Sequence, residues 1–559
     1  MTLKTLLRKG VLLLLALLMA AAACGCRGGG EPAQSSGDGG QSETAGEDGA
    51  PIRWDSESAA QYVIVVASNA SDAEREAAGR LQAAFLQAFG AQPSIKADLI
   101  MESAGYVEHE LEIAVGRTNR SFSPAYSLDN ARSGEYCIVK QGAKLLLAGG
   151  TDAGTEKAVE LFISRWLSGA GDTVEFRDED SLVCDDGDYA LASLRLNGAE
   201  VRSFNLSCDI NTPMLQLQIG HLTDAVKTGY GYSAVPGNLY PHTMLVSTVE
   251  LHPEYAGLLG EHPAVLTAKE GELALIARDE PALTAGIHAF NQLILKGADE
   301  ILVNDQQVSQ VLETQTLSAM TFNLAGDTDF VKRKDAVLDV ISSYLPAVFG
   351  IQEGKTQWLS QLERLDIYDS VGSGTHEEGH TETYNNLYYR TDLFSLTEGG
   401  TFWLSDTGEE GSKFPESKRV RIATWARLKE LQTGREILFV NTHLDNQSAV
   451  AREKQLDLIR AFIDDCGLPC VLTGDFNSKP DSNLYLGIAA EMDDSRVKAD
   501  ERQSSPTFNG YGSSSHILDY LLFTRDAFDI ALYQVHTGLY EGSVYPSDHN
   551  AVYVEFTLQ

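Results

Sequence analysis

The sequence predicts a multidomain α/β protein in which two small α/β modules precede a larger α/β sandwich. Three observations carry this reading. The chain has 559 residues, more than one ordinary hydrophobic core organises. A strand–helix pattern recurs within residues 60 to 310. From Leu317 onward, strand-like apolar runs alternate with amphipathic helices, as expected where helices layer onto sheets.

The N-terminus has the composition of a targeting segment. Lys4, Arg8 and Lys9 precede an apolar run, Val11 to Ala23, whose 13 residues are too few to span a bilayer. The run ends in "MAAAACGC", and small residues before a cysteine resemble the lipobox of bacterial lipoproteins. That resemblance implies a lipoprotein signal peptide over 1–23, a lipidated Cys24, and an exported protein anchored to the outer face of the cell membrane. Ala21 stands where lipoboxes usually carry Leu, and Cys26 is a competing site. The alternative is an ordinary cleaved signal and free secretion. Residues 24–51 include "GGGEPAQSSGDGGQSETAGEDG", which lacks large apolar side chains and predicts a flexible linker.

Residues 52–185 and 186–310 read as tandem modules. "YVIVVASNASDAEREAAGRLQAAFLQAFG" predicts a strand and then a helix. Ser71 and Glu74 form a capping box, and Ala77, Leu81 and Phe85 share one face. In "FNLSCDINTPMLQLQIGHLTDAVKTGYG", Thr212, Gly220, Leu222 and Val226 repeat Ser71, Gly79, Leu81 and Phe85 at an offset of 141. "KLLLAGGTDAGTEKAVELF" and "ELALIARDEPALTAGIHAF" match at an offset of 128, pairing Leu145 with Leu273, Leu147 with Leu275, Val159 with Ile287 and Phe162 with Phe290. The change of offset implies a shorter insert in the second copy. Gly149 and Gly150 make a tight turn, or a cradle for an anion. The first copy, with "LEIAVGRTNR", resembles the small accessory α/β domain that precedes catalytic barrels in several glycoside hydrolase families. The resemblance implies a scaffold or a glycan contact without catalytic carboxylates.

Charge narrows the partners. Lys plus Arg number 43 against 79 for Asp plus Glu, a net charge of −36. Such a surface repels polyanions, so a bulk-charge grip on nucleic acid is disfavoured, while a local basic or metal-lined site still accepts one phosphate. Export permits disulfides among Cys137, Cys184, Cys208, Cys466 and Cys470. Cys466 and Cys470 in "CGLPC" either pair or pack as small hydrophobes, and no Cys/His zinc spacing occurs.

The last region, residues 316–559, carries the chemistry. "SAMTFNL", "AVFGIQE", "NNLYYR", "RIATWARLKE", "ILFVNTHLD", "CVLTGDFN", "ILDYLLF" and "AVYVEFTL" read as strands. "AREKQLDLIRAFIDD" places Leu456, Ile459 and Ile463 on one helix face. Polar groups gather at the strand ends: Asn323, Glu353, His443 with Asp445, Asp475 with Asn477, Asp519, and Asp548 with His549. Asp475 and Asn477 lie two apart, so a continuing strand would point both the same way. Buried charges are costly unless paired or metal-bound, and converging strand ends can pool Glu, Asp and Asn oxygens around a hard cation such as Mg²⁺.

The ordered set "TFN", "QE", "RIATW", "NTHLD", "GDFN", "LDY" and "SDH" resembles the endonuclease/exonuclease/phosphatase superfamily, which includes DNase I-like nucleases, inositol polyphosphate 5-phosphatases and neutral sphingomyelinases. The resemblance implies a four-layer sandwich, two facing mixed sheets with helices outside, and hydrolysis of a phosphoester with Mg²⁺ or Mn²⁺. It implies that Glu353 ligates the metal with Asn323 beside it and Asp548 in or behind the metal shell. Asp475 would orient or deprotonate the attacking water, and Asn477 would hold that water or a phosphate oxygen. His443 would donate to the phosphate, and His549 would stabilise developing charge with Asp519 fixing its tautomer. Asp445 also suits a strand-end cap, and Arg421 and Trp425 are expected to pack beneath the site, with a direct substrate contact as the alternative. "HEEGH", His376 to His380, fits H-E-x-x-H, but its Gly-rich, polar surroundings predict a loop at the rim of the site and not the helix a zinc protease needs.

The expected function is thus a surface-tethered, metal-dependent phosphodiesterase or phosphatase. Its substrate would be a phospholipid headgroup, a phospho-sugar or a nucleotide. Lys413, Lys418, Arg419 and Arg421 supply local positive charge near it. The alternative is a non-catalytic cell-surface protein that binds glycan and carries a degenerate phosphoesterase domain.

Overall fold

The computed structural model describes residues 49–100, 107–122, 128, 131–312 and 316–559. The leader, with Cys24 and Cys26, lies outside the described residues. Among the described residues no helix is long and apolar enough to cross a membrane.

The first module contains β1 (Val63–Val66), α1 (Asp72–Phe89), β2 (Ser94–Ala97), β3 (Glu112–Val115), β4 (Glu135–Gln141), β5 (Lys144–Gly149), α2 (Asp152–Phe162) and β6 (Leu182–Asp185). The second contains β7 (Phe204–Cys208), α3 (Pro213–Ala225), β8 (Ala234–Pro236), β9 (His242–Thr248), β10 (Ala264–Lys269), β11 (Glu272–Ala277), α4 (Glu280–Leu295) and β12 (Val308–Val311). Their sheets run β2-β1-β3-β5-β4-β6 and β8-β7-β9-β11-β10-β12. Strand directions agree position by position: the first four strands of each are parallel and the next two pairings antiparallel. The two modules therefore share one topology.

Local chemistry explains the helices. Ser71 accepts from the Glu74 N–H at 3.1 Å, and the Glu74 carboxylate accepts from the Ser71 N–H at 3.2 Å, so α1 starts in a closed capping box. Leu81 and Phe85 of α1 and Val159 and Phe162 of α2 bury against Ile64, Ile113 and Leu147 of the sheet. Leu222, Ile287 and Phe290 do the same in the second module. The Gly149–Gly150 turn serves packing and not an anion: a Cβ on Gly149 would lie 2.4 Å from the Gly154 carbonyl carbon, and one on Gly150 would lie 1.9 Å from the Arg132 carbonyl oxygen.

The C-terminal region is a four-layer α/β sandwich. In order it contains β13 (Leu317–Asn323), α5 (Phe330–Tyr344), β14 (Val348–Gln352), α6 (Thr356–Leu362), β15 (Tyr368–Val371), β16 (Leu387–Arg390), β17 (Phe394–Trp403), β18 (Ile422–Glu430), β19 (Glu436–His443), α7 (Ala449–Cys466), β20 (Cys470–Asp475), α8 (Asn483–Ala489), β21 (Met492–Asp494), β22 (Glu501–Gln503), β23 (Asp519–Thr524), β24 (Phe528–Val535) and β25 (Val552–Leu558). One sheet runs β15-β16-β14-β13-β25-β24-β22 and the other β17-β18-β19-β20-β23-β21. Their facing sides bury Phe439, Val471, Leu521, Val552 and Phe556. The first sheet packs outward on α5 and α6, and the second on α7 and α8. Cys466 and Cys470 are free cysteines, and Cys470 packs as a small hydrophobe.

The second module leans on the sandwich through α3 and α5. Met214 joins the cluster that holds Val337 and Ile341, and the Gln218 amide donates to the Ser342 carbonyl at 2.6 Å.

Candidate active site

Register aligns three polar side chains at one end of the second sheet. His443, the last residue of β19, pairs with Asp475, the last of β20, and Asp475 pairs with Asp519, the first of β23. Residues opposed across neighbouring strands project to the same face, so the three side chains stand in a row. Gly474 permits this, because a Cβ there would meet the Thr442 carbonyl oxygen at 2.0 Å. The facing sheet contributes Asn323 at the end of β13, Glu353 one residue past β14, and His549 just before β25. Glu353 sits in the left-handed region, φ 55°, a conformation costly for a non-glycine residue.

These side chains meet between the sheets. The Asn323 amide donates to Asp475 Oδ2 at 3.0 Å and to Glu353 Oε1 at 3.4 Å. His549 Nδ1 donates to Asp519 Oδ2 at 2.9 Å, and its Nε2 lies 3.7 Å from Asp475 Oδ2. His443 Nε2 lies 3.5 Å from the same oxygen. The Asn477 amide donates to His443 Nε2 at 2.9 Å and to the Leu444 carbonyl at 3.1 Å. That bond puts the hydrogen of the neutral His443 ring on Nδ1.

The geometry refines several expectations. Asp475 and Asn477 converge, but not by strand alternation: β20 stops at Asp475, Asn477 turns into the left-handed region at φ 48°, and its N–H closes onto Asp475 Oδ1 at 2.8 Å. Asn323 turns its carbonyl oxygen toward the Ala325 N–H, so its amide N–H₂ faces the carboxylates. In this arrangement it aligns Glu353 with Asp475 as a donor. Asp548 is half-buried, with the Ser547 hydroxyl 3.4 Å from its Oδ1, and it acts on His549 through space. Asp445 is the strand-end cap: it accepts from the N–H groups of Ser448, Gln447 and Lys418 and from the Ser417 hydroxyl. Trp425 packs on Phe462 of α7, and Arg421, buried near Glu353 and Asp475, also lines a cavity beside the site. The "HEEGH" segment is not helical, and Glu377 spends its carboxylate on Arg419 at 2.6 Å.

Supporting residues lie within the quoted motifs, yet pattern reading passes over them. The Asn441 amide on β19 donates to the Ile351 carbonyl at 2.8 Å and accepts from Gln352 at 2.7 Å, clamping the two sheets below the site. Arg333, buried, donates to the carbonyls of Thr328, Pro546 and Leu324, tying both approaches to the site together.

Electrostatics follow from burial and proximity. Burial presses His549 toward neutrality, but the Asp519 and Asp475 carboxylates outweigh it and hold the imidazole protonated. Burial first, and then the Asp519 charge, push the Asp475 carboxyl up. Burial, helped by the Arg421 and His549 cations, pulls His443 well down, so it is neutral.

A cavity of about 250 Å³ opens beside the cluster, with Glu353 and His443 in one wall and Arg421, Lys355, Asn385 and His380 around it. A larger one, about 460 Å³, lies between α4 and the sandwich and adjoins none of the clustered side chains.

Residues 320–549 match the sequence profile of the Endonuclease/Exonuclease/phosphatase family. The C-terminal region is a domain of that family, with its hydrolase fold. Among known proteins, the chain is 23% identical to Nocturnin of Xenopus laevis over 258 residues, 41% of this chain and 64% of that one, and so spans less than two thirds of that relative. Similar solved structures include an endonuclease/exonuclease/phosphatase family protein of Bacteroides thetaiotaomicron, 28% identical with a TM-score of 0.42, covering 44% of this chain and 99% of that one. Another is a mannosyl-6-phosphatase of the same organism, 29% identical with a TM-score of 0.41, covering 43% and 100%.

Proposed function

We propose that the protein is a divalent-metal-dependent phosphoesterase held at the cell surface by a lipid on Cys24. The observation that carries the catalytic part is the convergence, across two sheets, of Asp475 with the buried Asp519–His549 pair. The donor chemistry suits a hard cation: Glu353 keeps a 39% exposed carboxylate, whose Oε1 and Asp475 Oδ2 share the Asn323 amide as donor. Glu353 and Asp548 would hold Mg²⁺ or Mn²⁺, with Asn323 aligning Glu353. An ion held there would supply positive charge for the phosphoryl oxygens and the leaving alcohol.

The chain's own residues do the rest. Asp475, raised by burial, accepts the proton of the attacking water, and Asn477 fixes the carboxylate through its backbone N–H. His443 presents a neutral Nδ1–H to a phosphoryl oxygen. His549, kept cationic by Asp519, faces the charge that develops in the transition state. The anchoring part is supported by the leader and the cysteine that ends it.

The test is hydrolysis of p-nitrophenyl phosphate and bis(p-nitrophenyl) phosphate by chelator-stripped protein, with Mg²⁺ or Mn²⁺ added back. Activity restored by the ion in wild type, and absent in Asp475→Asn, supports the reading. Activity independent of the ion, or surviving that substitution, overturns it. Mass spectrometry of protein from cells settles the lipid on Cys24.

A further inference from the structure

Arg421 is 8% exposed, and its Nε has no acceptor. Among the described residues, Glu353, Asp475 and Asp445 act on it only through space, and no hydrogen bond or ion pair engages its guanidinium. Arg333 shows the contrast: equally enclosed, it gives all its nitrogens to backbone carbonyls. A buried guanidinium without acceptors is costly unless something arrives to receive its hydrogens.

Two further buried atoms are in the same condition. His443 Nδ1 and Asn385 Oδ1 have no hydrogen-bond partner, and both residues line the cavity with Arg421. The residues that carry these three unpartnered atoms line one space, which Glu353 joins to the catalytic cluster. Among the described residues lining that space only Val420 is a plain aliphatic, and none is Phe, Tyr or Trp. A lipid tail finds no apolar wall there, and the rings that line it are the imidazoles of His380 and His443, smaller stacking platforms than a Trp or Tyr face. At about 250 Å³ the cavity falls below the roughly 300–1,000 Å³ of pockets for larger ligands.

We propose that the cavity takes a small, hydroxyl-rich phosphomonoester, a phosphorylated sugar or polyol, with Arg421 as the specificity residue that receives the phosphoryl dianion. The proposal rests on the phosphoesterase reading of the adjoining cluster. A monoester offers three terminal oxygens, so two can meet a guanidinium edge while the third stays with the catalytic groups. A diester has one fewer terminal oxygen and half the charge to offer the same donors. Asn385, which lines the same space, offers an amide to a substrate hydroxyl.

The experiment compares the full chain with Arg421→Met and Arg421→Lys at saturating Mg²⁺, on glucose 6-phosphate and on bis(p-nitrophenyl) phosphate. Wild type is expected to prefer the monoester. Arg421→Met should lower kcat/KM for the monoester about 100-fold and for the diester less than about 5-fold, and Arg421→Lys should lower the monoester-to-diester ratio about 10-fold. The Lys variant, which keeps the charge, decides the matter if the Met variant does not fold. Equal losses on both substrates, no loss on either, or a wild-type preference for the diester overturns the assignment. Calorimetry with inorganic phosphate separates the two layers. If no ester is hydrolysed, the phosphoesterase reading fails; phosphate binding that Arg421→Lys weakens then supports the anion site, and binding that it leaves unchanged overturns it.

Discussion

His549 donates from Nδ1 to the Asp519 carboxylate at 2.9 Å, and both side chains are almost wholly buried. The imidazole is charged because of that carboxylate and in spite of its surroundings. Removing the carboxylate leaves burial unopposed, so the ring loses its proton at lower pH. Asp519→Asn is expected to move the alkaline limb of the pH–rate profile toward neutrality and to lower kcat about 100-fold at pH 8. Titrating the His549 ring by NMR checks the shift directly.

Asp475 should show a trade between stability and activity. Its folded carboxyl is raised above its unfolded value, so the folded state holds the proton more tightly and stability falls as pH climbs between the two. Asp475→Asn removes that buried charge beside Asp519. We expect hydrolysis to fall by about 1,000-fold or more while the metal-free protein melts at a higher temperature than wild type at pH 8. A melting curve in chelator, with a parallel rate assay, reads both.

Asp445 behaves in the opposite sense. Burial alone would raise its carboxyl, but the N–H groups of Ser448 and Gln447, the Ser417 hydroxyl and the Lys418 N–H hold it down at about 2. A depressed carboxyl contributes stability above its unfolded value, near 3.8, that is lost as pH falls through about 2. The contribution is about 2 kcal/mol at neutral pH. Asp445→Asn should unfold at lower denaturant concentration at pH 7 and lose that difference near pH 2, as urea titrations at the two pH values would reveal.

The clamp below the site gives a fourth expectation. Asn441→Ala strips acceptors and donors from Gln352, Thr473 and the Ile351 carbonyl, all buried. Leaving them unsatisfied should cost about 2–4 kcal/mol. Asn441→Asp, nearly isosteric, should be destabilised at least as much at neutral pH, because its carboxylate would face the Ile351 and Asn385 carbonyls in place of a donor. Thermal melts of the two variants, with kcat/KM alongside, would separate packing from hydrogen bonding.

Much of this site is legible from strand chemistry alone. His443, Asp475 and Asp519 announce themselves because a polar side chain ending an apolar run has few reasons to be there, and register then brings them together. The shared topology of the two modules is legible because Leu147 and Leu275, or Phe162 and Phe290, are buried at matching places in the pattern. What escapes is whatever depends on bond partners. Nothing in "RIATW" tells that Arg421 lacks an acceptor while Trp425 packs on a helix. Asn441 reads as one more polar residue in a strand until Ile351 and Gln352 face it. β17 escapes because an exposed strand with paired glycines, Gly399 and Gly400, shows no alternation. Gly149 and Gly150 mislead for a related reason: close backbone approach and anion binding ask for the same residue.

The cluster draws Asn323, Glu353 and His549 from one sheet and His443, Asp475 and Asp519 from the other, so neither layer owns the chemistry. The distance across the hydrophobic filling between them is therefore a catalytic dimension. A methylene added or removed at Phe439 or Val552, far from any substrate, would open or narrow the jaws by a fraction of an ångström and retune turnover without touching a reacting atom.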